Sequence, residues 1–298
     1  TGPATFTIRK ANFDLIDQVV VNGKTLITSG TSAGLVVVGP APGLTVCPCS
    51  TTYSSANDPA SSAIIEENGP ARAVIKATGQ HMDTEGHAYM RYTVRLSFYK
   101  NRSYVKVLSQ LQNADFGESA SFASAYKGFA SYEARLTPVL TSSRYFSFGT
   151  SSSPVNGSFT ANEDAYLYQA YSNNLEDCGW NSPDRRPQFA LRSYISRTQI
   201  NKAGCSSVWK YDQEGYEIIQ ANKILKSGTR SQYPEGWASL TDSSGAGIEI
   251  GIDEMSAYWP KSLEFTSGGD EARIGIWPDQ SLFSTGGGQQ YFQSWPQY

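Results

Sequence analysis

YTVRLSFYKNRSYVKVL, residues 92–108, is the stretch that decides how this chain folds. Apolar and polar residues alternate from Tyr92 to Phe98, and again at Val105-Lys106-Val107 within the run Tyr104 to Leu108, the period-2 pattern of a strand with one face turned inward. Lys100-Asn101-Arg102-Ser103 between them is a polar turn, so the stretch predicts an antiparallel hairpin. Upstream, residues 62–67, 71–79 and 88–99 read as strands, with turns at Asn68-Gly69-Pro70 and Thr84-Glu85-Gly86. Gly34-Leu35-Val36-Val37-Val38 has the length of a buried strand, and Asn22-Gly23 between Gln18–Val21 and Thr25–Ile27 is a tight-hairpin signal. The Ser/Asn/Pro-rich residues between Cys49 and Ser61 read as a loop, bounded by a turn at Gly39-Pro40.

Downstream the texture changes after Asn113, and Asp115-Phe116-Gly117-Glu118 breaks the strand pattern, which places a domain boundary near 115. Tyr216-Glu217-Ile218-Ile219 reads as a strand, with a turn at Lys226-Ser227-Gly228-Thr229. Trp259-Pro260 and Trp277-Pro278 bracket a further strand, Gly268-Gly269-Asp270 turn and second strand, with the tryptophans read as packing anchors. No fixed-period repeat argues for a propeller or solenoid. The expectation is an all-β protein of two packed domains.

With 298 residues and 39% hydrophobic composition, the chain can bury one or two substantial cores. Its net charge is −3, with both signs interspersed, which gives no basic face for nucleic acid or anionic lipid. No apolar run approaches the roughly 20 residues of a membrane-spanning helix. The start at Thr1, without Met or signal segment, predicts a processed or excised end, and secretion fits the sequons at Asn101 and Asn156, both expected at polar turns. Cys47, Cys49, Cys178 and Cys205 lack zinc spacing and are expected as disulfides, Cys178 with Cys205 and Cys47 with Cys49 or with other chains. No metal is expected, since His81 and His87 do not complete a zinc set with these cysteines, and no cofactor, since phosphate-cradle and dinucleotide fingerprints are missing.

Acid–base chemistry is densest in His81-Met82-Asp83-Thr84-Glu85-Gly86-His87-Ala88-Tyr89-Met90-Arg91, which holds both histidines. His81 or Tyr89 can serve as a base and Arg91 can hold a carboxylate, with alternation setting Tyr89 and Arg91 on one face. Asp184-Arg185-Arg186 and Lys210–Glu214 are lesser candidates, read as solvated loops.

Ile65–Val74, Tyr92–Tyr99, Trp259–Glu264 and Ile274–Pro278 together resemble the exo-acting rhamnogalacturonan lyase (YetA-like) family. That resemblance implies a RIFT-type β-barrel at 1–114 followed by a β-sandwich at 115–298. It implies a secreted protein acting by β-elimination on acidic polysaccharide, a chemistry for which the segment 81–91 supplies His81, Tyr89 and Arg91 as catalytic candidates. The family continues into a helical barrel, whereas this sequence ends at Ser294-Trp295-Pro296-Gln297-Tyr298. The alternative expectation is therefore a non-catalytic extracellular carbohydrate-binding protein or a structural subunit that self-assembles.

Overall fold

The computed structural model describes residues 3–44, 49–112, 128–141, 143–169, 216–221, 223–228, 232–256 and 261–278. They form two compact units, one up to Val139 and one from Leu140. The boundary expected near 115 lies outside the described residues.

The first unit opens with β1 (Ala4–Thr7), β2 (Gln18–Val21) and β3 (Lys24–Ile27), an antiparallel sheet in that order. Asn22 and Gly23 both adopt positive φ, 49° and 80°, as a two-residue hairpin between right-twisted strands requires. The larger sheet comprises β4 (Gly34–Pro40), β5 (Cys49–Ser54), β6 (Ser62–Asn68), β7 (Arg72–Met82), β8 (Ala88–Tyr99), β9 (Val105–Gln112) and β10 (Ser131–Leu136). Its order is β10-β4-β5-β7-β8-β9, with β6 also on β7. The quoted hairpin is thus β8 with β9, and Phe98 faces Val105 across it.

Two expectations need correcting here. The segment after Cys49 is not all loop: β5 pairs with β4, because Tyr53 is a strand-favouring residue whose ring is buried and whose hydroxyl donates to the Pro40 carbonyl at 2.7 Å. For the same reason β4 continues through Gly39 and Pro40 instead of turning there. Val94 and Leu96 of β8 are fully buried with Ala77 of β7, and burying each aliphatic side chain contributes about 1.5–3 kcal/mol.

The second unit contains β11 (Arg144–Thr150), β12 (Val155–Ser158), β13 (Ala165–Gln169), β14 (Tyr216–Gln220), β15 (Lys223–Gly228), β16 (Pro234–Asp242), β17 (Gly247–Gly251), β18 (Lys261–Thr266) and β19 (Glu271–Trp277). One sheet runs β12-β11-β16-β17; β15-β14-β13-β18-β19 are hydrogen-bonded neighbours in another. Their apolar faces meet in one core of Phe146, Phe148 and Leu240 against Leu167, Ile218, Leu263 and Phe265, which makes this unit a β-sandwich. Phe148 and Phe265 approach to 5.7 Å between ring centroids across the two sheets. β18 and β19 form the hairpin expected around Gly268-Gly269-Asp270. The turn expected at Lys226–Thr229 is instead at Ala221, whose φ of 47° reverses the chain, so residues 223–228 continue as strand.

A buried acid pair lies in the first unit. Asp14 is 1% exposed, with the Arg9 guanidinium 3.7 Å away. Burial, with the Asp17 carboxyl next to it, pushes Asp14 up to about 7. Burial acts in the same direction on Asp17, but the Ser29 hydroxyl and Gly30 amide, each donating at 2.8 Å, outweigh it and lower its pKa. A carboxyl whose folded pKa is raised binds a proton that the unfolded chain has lost. Stability from Asp14 is therefore fully present below 3.8 and is lost as pH rises toward about 7. Asp14→Asn should flatten that decline, as measured by urea unfolding at pH 5 and pH 8; an unchanged slope would assign the decline to other groups.

Candidate functional site

Pairing of β7 with β8 decides where each expected site residue points. Gln80 pairs with Arg91 and His81 with Tyr89, so Met90 is an extra residue, a bulge with φ of 47°. Simple alternation places Tyr89 and Arg91 on one face; the bulge separates them. Tyr89 is buried and Arg91 is exposed. That corrects the expected face, and the cause is the one inserted residue.

Tyr89 stacks on Tyr53 at 4.8 Å between centroids, and its hydroxyl donates to the Gly128 carbonyl at 2.6 Å. His81 is wholly buried, with its ring edge-on to Tyr92 and Tyr132 at 5.2 and 5.7 Å. Its Nδ1 lies 3.2 Å from the Met90 carbonyl. A carbonyl can only accept, so the proton sits on Nδ1 and Nε2 carries the lone pair. Burial lowers this histidine to about 4 and keeps it neutral at pH 7. The structure thus brings His81 and Tyr89 together as cross-strand neighbours directed inward, while Arg91 alone reaches solvent.

His87 serves the adjoining turn: its Nδ1 is 2.9 Å from Asp83 Oδ2, and Asp83 Oδ1 accepts the amides of Glu85 and His87. Asn101 sits exposed at the β8–β9 turn, but Asn156 lies in β12, exposed on a strand and not at a turn. Cys49 is disulfide-bonded; Cys47, Cys178 and Cys205 lie outside the described residues, as do Trp259, Asp184–Arg186 and Lys210–Glu214. Among the described residues, no cluster of His, Cys, Asp and Glu is placed to hold a metal ion, and no helix is long and apolar enough to cross a membrane.

The solvent-facing side of β6–β9 carries Arg91 among a larger set of polar and cationic residues. Directly opposed residues share a face. One row is Gln80, Arg91 and Gln112; the next is Thr78, Thr93 and Gln110; a third is Lys76, Arg95 and Leu108; Lys106 lies beyond it, opposite Ser97. Cations that are interspersed in the sequence are therefore collected on one sheet face, which the even mixing of charge had argued against. Tyr99 and the exposed Tyr104 pack in a tilted pair, 5.6 Å between ring centroids, where β8 turns into β9. Planar guanidinium forks match carboxylates, and amides and hydroxyls match sugar hydroxyls. The signal was present in the sequence, since Arg91, Thr93, Arg95 and Ser97 are the polar half of the alternation. Of these, the acid–base segment 81–91 contains only Arg91.

Residues 1–123 match the family model of the PcRGLX-like protein central beta sandwich domain, a domain of rhamnogalacturonan lyase-like proteins. The matched span contains all of β6–β9 and also the residues for which a barrel was expected. Comparison with curated proteins finds no match. The match relates the chain to carbohydrate-associated β proteins.

Tyr89→Phe should remove the hydrogen bond to Gly128 and cost about 1–2 kcal/mol in urea unfolding. Arg91→Ala, at an exposed position, should leave the unfolding midpoint within error. Equal costs for the two would contradict their opposite placement.

Proposed function

We propose that this chain is an extracellular protein that binds an acidic, uronic-acid polysaccharide on the outer face of β6–β9. The observation that carries the reading is Arg91: exposed, held by no ion pair among the described residues, and flanked in register by Gln80 and Gln112. A guanidinium between two amides offers a carboxylate a bidentate partner and the neighbouring hydroxyls both donors and acceptors. The family match over the same residues supports a glycan as the occupant.

Binding is preferred over elimination because a general base must lie within about 3 Å of the proton it removes. His81 and Tyr89 are directed into the interior, the first with no solvent exposure and the second with its hydroxyl on Gly128.

Calorimetry with polygalacturonate, a neutral galactan and duplex DNA tests the reading. Polygalacturonate should bind, more weakly as salt is raised, and Arg91→Ala should weaken it about five- to ten-fold. Equal binding of the neutral galactan, tighter binding of DNA, or an unaffected Arg91→Ala variant would each overturn it. Release of unsaturated uronate, followed by ultraviolet absorbance, would replace binding by lyase activity as the function.

A further inference from the structure

A second irregularity in the sheet sets a carboxylate over this face. In β6, Ile65 pairs with Ile75 and Glu67 with Val74, which leaves Glu66 as an extra residue. A bulge re-aims the side chain it carries. Glu66 reaches across the intervening β7 to Arg95 of β8, whose Nε and Nη2 donate to its two oxygens at 2.6 and 2.9 Å. That is the same two-bond pairing a guanidinium offers to any carboxylate, a sugar acid included. The hydrogen bonds from Arg95, together with the positive charge of Lys76 opposite it, hold the Glu66 carboxyl below the usual range, so it is ionised at neutral pH.

We propose that Glu66 is the internal competitor of the uronate, occupying Arg95 until a substrate carboxylate displaces it. The inference rests on the binding reading above and divides the face into two subsites. Arg91 is open and takes the first carboxylate. Arg95, four residues along the same strand and on the same face, is latched and takes a second. The two arginines lie about 13 Å apart at the usual strand rise, so one chain of linked uronates spans both. Because the Glu66–Arg95 pair is more than a third exposed on both sides, its strength is that of a surface ion pair, low enough for a ligand to exchange it.

The test compares polygalacturonate affinity, by calorimetry at low salt, for the unaltered chain, Glu66→Gln, Glu66→Ala, Arg95→Ala, the Glu66→Gln/Arg95→Ala double variant, and Glu249→Gln. Glu249 is an exposed carboxylate on β17 and controls for net charge alone. Both Glu66 variants should bind about two- to five-fold tighter, Glu249→Gln should match the unaltered chain, and neutral galactan should distinguish none of them. Arg95→Ala should cost more affinity in the Glu66→Gln background than in the unaltered one. Matched urea midpoints establish that the fold is kept. Unchanged or weakened binding by both Glu66 variants overturns the latch, as does an equal gain from Glu249→Gln, while leaving the binding reading standing. If neither the unaltered chain nor the Glu66 variants bind, both proposals fall.

Discussion

The antiparallel pairing of β7 with β8 is the constraint on which the rest of the first unit depends. It runs from Arg72 opposite Tyr99 to Met82 opposite Ala88, and it is interrupted once, at Met90. On one side of that interruption Tyr89 is directed into the core; on the other Tyr92, Val94 and Leu96 are inward and Arg91, Thr93 and Arg95 outward. A strand without the extra residue would shift one of these sets to the opposite face. The apolar core under β8 and the cationic face above it are thus consequences of one register.

Charge in this molecule is organised by that register rather than by composition. Along the chain, acidic and basic residues alternate closely enough to leave a net charge of −3. On the sheet, Lys76, Arg91, Arg95 and Lys106 come from three different strands and converge on one side. A polyanion meets the local arrangement, not the average, because charges more than a Debye length apart, about 8–10 Å, are screened from one another.

The strands were legible where alternation is long and the ends carry Gly, Asn or Pro: β8, β9, the Asn22-Gly23 hairpin and the β18–β19 pair. They were less legible where tertiary contact outweighs local propensity. β5 is rich in Ser and Thr and reads as a loop until Tyr53 is seen to fill the space against Tyr89. Ala221 carries no turn signal and yet reverses the chain. The site was the harder problem for a related reason. A histidine, a tyrosine and an arginine close in sequence look like acid–base chemistry, but the bulge that parts Tyr89 from Arg91 leaves no mark in the pattern of residue types. His81 is recognisable as structural only from the rings of Tyr92 and Tyr132 around it.

The bulge at Glu66 also bears on how the molecule behaves at high concentration. β6 pairs with β7 on one side, and among the described residues no strand pairs with its other side, while Ile64 and Ile65 are both more than half exposed. An uninterrupted edge of that kind would invite a strand from another molecule and seed insoluble aggregates. The extra residue breaks the even spacing of the edge amides, so a second copy's β6 cannot align with it in continuous register. The irregularity that turns Glu66 toward Arg95 is therefore also the one that blunts this edge.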